Sequence, residues 1–156
     1  MSYAVNLLIM LGWAVVTGDF TSGNLVFGFA VGFAALWIAG GLFGAERYHA
    51  RLIGAVGLFG YFLYDLVASS LIVAWDVLTP RLRAQPCFVE MPLDARTDLE
   101  IVLTANLISL TPGTLSVDVS PDRRTLLVHA MFARDPDAVV SHLKRGIERR
   151  VLEALR

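Results

Sequence analysis

Charge is almost missing from the first half of this chain. Up to Leu78 the only basic residues are Arg47 and Arg51 and the only acids Asp19, Glu46, Asp65 and Asp76. A single cysteine, Cys87, excludes an internal disulfide, and three scattered histidines, His49, His129 and His142, offer no metal-ligand spacing. A basic excess is missing too: the formal net charge is −1, which argues against a broad electrostatic footprint for nucleic acid. There is no P-loop, no G-x-G-x-x-G after a strand and no nucleophile elbow. These absences argue against catalysis, a bound cofactor and a metal centre. The N-terminus also lacks the marks of a cleaved signal: Met1-Ser2-Tyr3 carries no basic charge, and Val15 to Gly18 is a poor cleavage site, so the segment is expected to stay as an anchor.

What is present is apolar mass. Hydrophobic residues make up 56% of the chain and charged residues only 17%, a balance outside that of soluble domains. Charge crowds in after Thr79, so two solvents are implied, lipid for residues 1–79 and water for an αβ domain over 80–156. Crossing a hydrocarbon core takes about 20 helical residues. Three runs come near that length: 3–17, short enough to need tilt or help from neighbours; 25–43, uncharged and the strongest span; and 52–78, interrupted by Asp65 and Asp76. Turn formers from Thr17 to Asn24 make the first two a helical hairpin. In the third run Tyr61, Asp65, Ser69 and Asp76 share one narrow face, which must meet protein, water or headgroups. Arg47 and Arg51 precede this helix and Arg81 and Arg83 follow it, and one crossing cannot place both flanks in the cytoplasm. Apolarity favours three spans, whereas charge favours two with the third helix lying at or dipping into the interface; the balance tips toward two.

The soluble part reads βαββα, which suits an open sheet with helices on one face. Cys87, Val89 and Met91 alternate with Phe88 and Glu90 as a strand that Pro92 ends. Thr97-Asp98-Leu99-Glu100 has the form of a capping box and opens a helix to Leu110, with Leu99, Val102, Leu103, Leu107 and Leu110 as its expected buried face. Thr111-Pro112-Gly113 stops that helix. Leu115, Val117 and Val119 start a hairpin that turns at Ser120 to Arg123 and returns over Thr125 to Met131. Asp135 caps a last helix with Pro136 at its first position and Val140, Leu143, Ile147 and Val151 as its apolar stripe. That helix carries Lys144, Arg145, Arg149, Arg150 and Arg156, with His142, Arg145, Arg149 and Arg156 near one line. They make either a solvated face or a site for anionic lipid.

Four membrane residues are candidates for function or interface. Gly28 and Gly32 form a G-x-x-x-G that lets helices approach closely. Asp65, flanked by apolar helix, is a functional candidate by default, and Asp76 lies on the same face. One carboxylate is not a relay, so partnership with another helix or a basic group is the favoured role for Asp65.

Several stretches taken together resemble the E subunit of the Mrp-type (Mnh, Pha) Na⁺(K⁺)/H⁺ antiporters. They are Ala74 to Pro80, Thr97 to Glu100, Asn106-Leu107-Ile108-Ser109-Leu110-Thr111-Pro112-Gly113-Thr114-Leu115 and Asp118 to Asp122. The most specific is the one from Asn106 to Leu115, whose Asn106, Thr111, Pro112 and Gly113 mark a structural motif. The resemblance implies an accessory or assembly subunit of a bacterial plasma-membrane complex that exchanges sodium or potassium for protons. Its implied partners are other hydrophobic subunits, and the ion paths belong to the large ones. No catalytic, cofactor or metal residues carry over. A different class of function is a free-standing membrane-tethered binding domain that recruits a soluble partner.

Overall fold

Helices follow where apolar residues run without a break, and strands begin where the period falls to two. In the computed structural model, which describes residues 2–39, 46–80 and 83–156, the chain forms α1 (Ser2–Thr17), α2 (Ser22–Ile38), α3 (Glu46–Leu78), β1 (Cys87–Pro92), α4 (Asp98–Leu110), β2 (Thr114–Val119), β3 (Thr125–Ala130) and α5 (Pro136–Leu143). A π-helical turn (Lys144–Glu148) then leads into α6 (Arg149–Leu155). Two compact units result, 1–53 and 54–156. The packing division thus falls inside α3, whereas the change of solvent read from composition falls near Thr79-Pro80; packing and solvation need not divide a chain at the same place.

In the first unit α1 and α2 pack as a hairpin. Gly18 turns the chain with φ +67°, where a side chain would be strained. Asn24 Nδ2 donates to Thr17 Oγ1 (2.7 Å) and to the Asp19 carbonyl (2.6 Å), and Trp13 Nε1 donates to Asn24 Oδ1 (3.0 Å). Leu36 and Tyr48 form a small core with Val5, Phe33 and Leu52 around them. Among the described residues one helix, Tyr48–Leu78, is long and apolar enough to cross a membrane, and Tyr3–Thr17 and Ser22–Ile38 are shorter apolar helices. The expected strongest span, 25–43, is helical to Ile38 and capped at Ala39. Its residues 40–43 lie outside the described residues, as does Arg81 of the charge argument.

The second unit is built on a three-stranded antiparallel sheet, order β1-β3-β2. Central β3 buries Leu126, Val128 and Ala130 on one face, and β1 adds Val89 and Met91 opposite them. Ile108 of α4 and Leu143, Ile147 and Val151 of the C-terminal helical segment cover that face, with Leu58 and Tyr61 of α3 packed against the cluster. The capping box forms: Thr97 Oγ1 accepts from Glu100 N (3.3 Å), and Glu100 Oε2 accepts from Thr97 N (3.1 Å). Asp135 caps α5 through the Asp137 and Ala138 amides, with Pro136 at its first turn.

The face of α4 corrects the sequence reading. Of the expected face Leu103 and Leu107 do pack against the core, but Leu99, Val102 and Leu110 are 63%, 54% and 59% exposed, and the fully buried residues are Glu100, Ile101, Thr104 and Ile108. This helix is apolar nearly all round, so periodicity alone does not pick the side that meets the sheet. Distant contacts decide it: Ile108 joins the core cluster on the sheet, and Glu100 pairs with Arg156 of the C-terminal segment.

Candidate functional site

The second unit is organised around the seam where α3 lies along its αβ layer. At Gly54 the backbones nearly touch: a Cβ there would stand 2.7 Å from the Glu153 carbonyl oxygen. Two turns on, the Tyr61 ring lies under the Arg150 guanidinium, 3.9 Å from its centre, and its hydroxyl fills the space a Cβ would need at Gly146. Asp65 follows, buried, with Oδ1 3.1 Å from His142 Nε2. Farther along, Val73 reaches Gly113, and Asp76 Oδ1 accepts from the Arg83 amide (2.6 Å). A cavity of about 350 Å³ opens in this seam beside Asp65, Ser69, Ile72, Gly113, Phe132 and His142. Asp65 and Asp76 are both buried, and Oδ2 of each meets no donor among the described residues. Such an oxygen can take a donor from a partner or hold a proton. Asp65 and His142 could exchange one, but no further acid or base stands within hydrogen-bond reach of the pair among the described residues.

The C-terminal helical segment carries its charges in two ways. Lys144 bridges Asp94 (2.8 Å) and Glu148 (3.0 Å). Burial works against its charge, and those two carboxylates outweigh burial and hold the amine above its ordinary range. Glu148, fully buried, also accepts from the Asp94 and Ala95 amides. Arg149 pairs with Glu153 (2.7 Å) and Arg156 with Glu100 (3.0 Å). The Arg156 hydrogen bond, helped by the Arg96 and Thr97 amides, lowers the Glu100 carboxyl to about 2. Arg145 and Arg150 are held differently, by backbone carbonyls and a ring. Of the residues expected near one line, Arg145, Arg149 and Arg156 border one groove, and His142 and Arg145 border the next.

In the first unit Gly28 and Gly32 are buried on α2 and face α1 of the same hairpin. A Cβ at Gly28 would meet Met10 O and Trp13 at 3.1 Å, and one at Gly32 would strike the Asn6 amide. Asn6 donates to the Tyr48 hydroxyl. Of the motif residues, Asn106 is exposed on α4, whereas Thr111 is buried with its hydroxyl on the Leu107 carbonyl (3.0 Å). Gly113 takes φ +89°, and its carbonyl accepts from Met131 N (2.7 Å). Thr114 Oγ1 donates to Ile108 O (2.7 Å), so the stretch ties the end of α4 to β3.

The match to known proteins is continuous over this architecture. A family described as Na⁺/H⁺ ion antiporter subunit matches residues 6–154. The chain belongs to this family. It is similar to the Na⁺/H⁺ antiporter E subunit of Alkalihalophilus pseudofirmus, 31% identical over 96% of this chain and 94% of the relative. The corresponding E1 subunit of Staphylococcus saprophyticus is 30% identical over 96% and 93%. A chain of the Mrp complex from a Dietzia species is 29% identical over 65% of this chain and 96% of its own length, with a TM-score of 0.52. The fold is also that of a chain in the membrane-bound sulfane sulfur reductase, an archaeal respiratory membrane complex, at a TM-score of 0.58 over 96% of both chains.

As a member of the antiporter subunit family the chain is a transporter component. Sequence reading missed four of its features: His142 as the partner of Asp65, the π turn, and the buried acids Glu100 and Glu148. The first depends on residues 77 apart in sequence. Glu100 alone left a signal, since its capping-box position directs it toward its own helix start.

Proposed function

We propose that this chain is an accessory subunit of a multi-subunit Na⁺(K⁺)/H⁺ antiporter in the bacterial plasma membrane, holding other subunits together rather than conducting ions itself. The observation that carries this is the apolar stripe left on the αβ domain. Leu99, Val102 and Leu110 on α4, with Leu115 and Val117 on β2, are each about half exposed or more. A water-facing domain that exposes so many large aliphatic residues is built to be covered by protein. The names of the relatives supply the partners, antiporter subunits.

The topology that suits the seam has α1 and α2 crossing and α3 lying along the cytoplasmic interface, with the αβ domain in the cytoplasm. The domain follows α3 from Gly54 to Asp76, a length on the order of 33 Å at 1.5 Å per residue. If α3 crossed upright, the charged C-terminal helical segment would be drawn into hydrocarbon, where each Lys or Arg costs several kcal/mol. The opposite face of α3 exposes Ile53, Val56, Phe59, Val67, Leu71 and Trp75, as an interfacial helix must.

The test is purification of the tagged chain from its own membranes in mild detergent. Other hydrophobic antiporter subunits should come with it, and L99E together with V102E should release them while the domain stays folded. Recovery of the native chain alone would overturn the reading. Thiol labelling of single cysteines placed at Val56 and Trp75 tests the topology. Protection of both from an aqueous reagent on the periplasmic side is expected, and labelling of either from that side would show that α3 crosses.

A further inference from the structure

We infer that the groove between Tyr61 of α3 and the π turn is a binding site for the phosphate of an anionic membrane phospholipid. The groove, about 510 Å³, is lined by Tyr61, Asp137, Ser141, His142, Arg145 and Arg150. Three other cations of the C-terminal segment, Lys144, Arg149 and Arg156, are neutralised by carboxylates. Arg145 and Arg150 are the two that no carboxylate pairs with among the described residues, and both face this one groove.

Both are also tethered to the backbone around the groove. Arg150 stacks on Tyr61 at 3.9 Å, and its Nη1 donates to the carbonyls of Arg145 (3.0 Å) and Gly146 (2.8 Å), leaving its other donors unspent. Arg145 is tethered through Nε to Ser141 O (3.3 Å), which leaves both terminal nitrogens for a ligand. Two preset guanidinium forks are the geometry that receives phosphate bidentately. The π turn makes the pairing, since these arginines stand five residues apart, nearer one face there than in a plain α-helix. His142 adds a ring, and Asp137 is the one carboxylate in the lining.

A lipid phosphate is favoured over free phosphate because the groove's wall is α3, whose far side is a continuous apolar face. The inference rests on α3 lying at the interface, where headgroups are at hand and each Lys or Arg adds about five-fold to the affinity for anionic lipid.

The experiment uses the full chain in detergent, where helix orientation does not enter, and reads retained phosphatidylglycerol against phosphatidylcholine by native mass spectrometry. The wild type should prefer phosphatidylglycerol. R145Q and R150Q should each cut that preference about five-fold, while R149Q, which removes the same charge from an ion pair, should leave it unchanged. Circular dichroism checks that each variant is folded, and R145Q, at an exposed position, serves if R150Q does not fold. Equal losses in all three variants would mean diffuse attraction and overturn the site. Displacement of the lipid by inorganic phosphate at equal concentration would overturn the lipid assignment. If the preference holds but α3 is labelled from the periplasm, the topology fails and the site stands.

Discussion

Three glycines open the docked part of α3, and the structure separates them. A methyl group on Gly54 would lie 2.7 Å from the carbonyl oxygen of Glu153, 2.9 Å from its carbon and 3.0 Å from Ala154 Cα, whereas Gly57 and Gly60 have no neighbour within 4 Å of that position. A carbon and a carbonyl oxygen come no nearer than roughly 3.3 Å, so Gly54→Ala must push two backbones about 0.6 Å apart. Neither can rotate aside as a side chain would. Overpacking of this kind costs about 1–3 kcal/mol. Alanine returns up to ~1 kcal/mol of helix propensity, so the net loss is about 0–2 kcal/mol. At Gly57 and Gly60 only the propensity gain applies, and Gly57→Ala or Gly60→Ala should stabilise by about 0.5–1 kcal/mol. The gap between the first variant and the other two is thus about 1–3 kcal/mol. That gap corresponds to several degrees of melting temperature for a chain of this size. Thermal unfolding of the full chain in mild detergent, followed by tryptophan fluorescence, measures it. If Gly54→Ala melts at or above Gly57→Ala, α3 is not seated on the C-terminal segment and the seam described above is wrong.

Gly146→Ala should cost about 1–3 kcal/mol by displacing the Tyr61 hydroxyl, and Tyr61→Phe in the same chain should recover part of it; a double-mutant cycle by thermal melts that shows no coupling would refute the contact. Glu100, held at about 2 by Arg156 and two amides, stabilises the fold above its ordinary 4.5, and that stability is lost as pH falls toward 2. The full shift is worth ~3 kcal/mol, but the half-exposed Arg156 lets water screen the pair. About 1–2 kcal/mol should therefore separate wild type from Glu100→Gln above pH 4.5 and vanish near pH 2; a gap that persists in acid refutes the assignment. Asp65→Asn should impair assembly or stability more than cation/proton exchange per assembled complex, measured in vesicles. Loss of exchange with full assembly would put Asp65 on a proton path.

What was legible in the sequence was local. The capping box of Thr97 and Glu100, the Asp135-Pro136 start of α5 and the alternation of Cys87 to Met91 all rest on contacts within a few residues, and the structure forms them. The G-x-x-x-G likewise announced a close approach, and its neighbour is α1 of the same chain. What escaped was set by distant partners. Asp65 could not name His142, and an α4 apolar on nearly every side could not say which side the sheet would take. A π turn has no residue signature of its own; Gly146 earns its place only because Tyr61 arrives from far upstream.

The π turn at Lys144–Glu148 also sets how this end of the chain can change over time. Deleting one residue there would restore a regular helix and rotate everything beyond it by about 100°. Val151 would leave the core, Arg150 would leave the Tyr61 ring and Arg156 would leave Glu100. Side chains along this segment can be exchanged one at a time, but its length cannot drift by a single residue without undoing contacts at three separate places. Natural variation here should be rich in substitutions and poor in insertions and deletions.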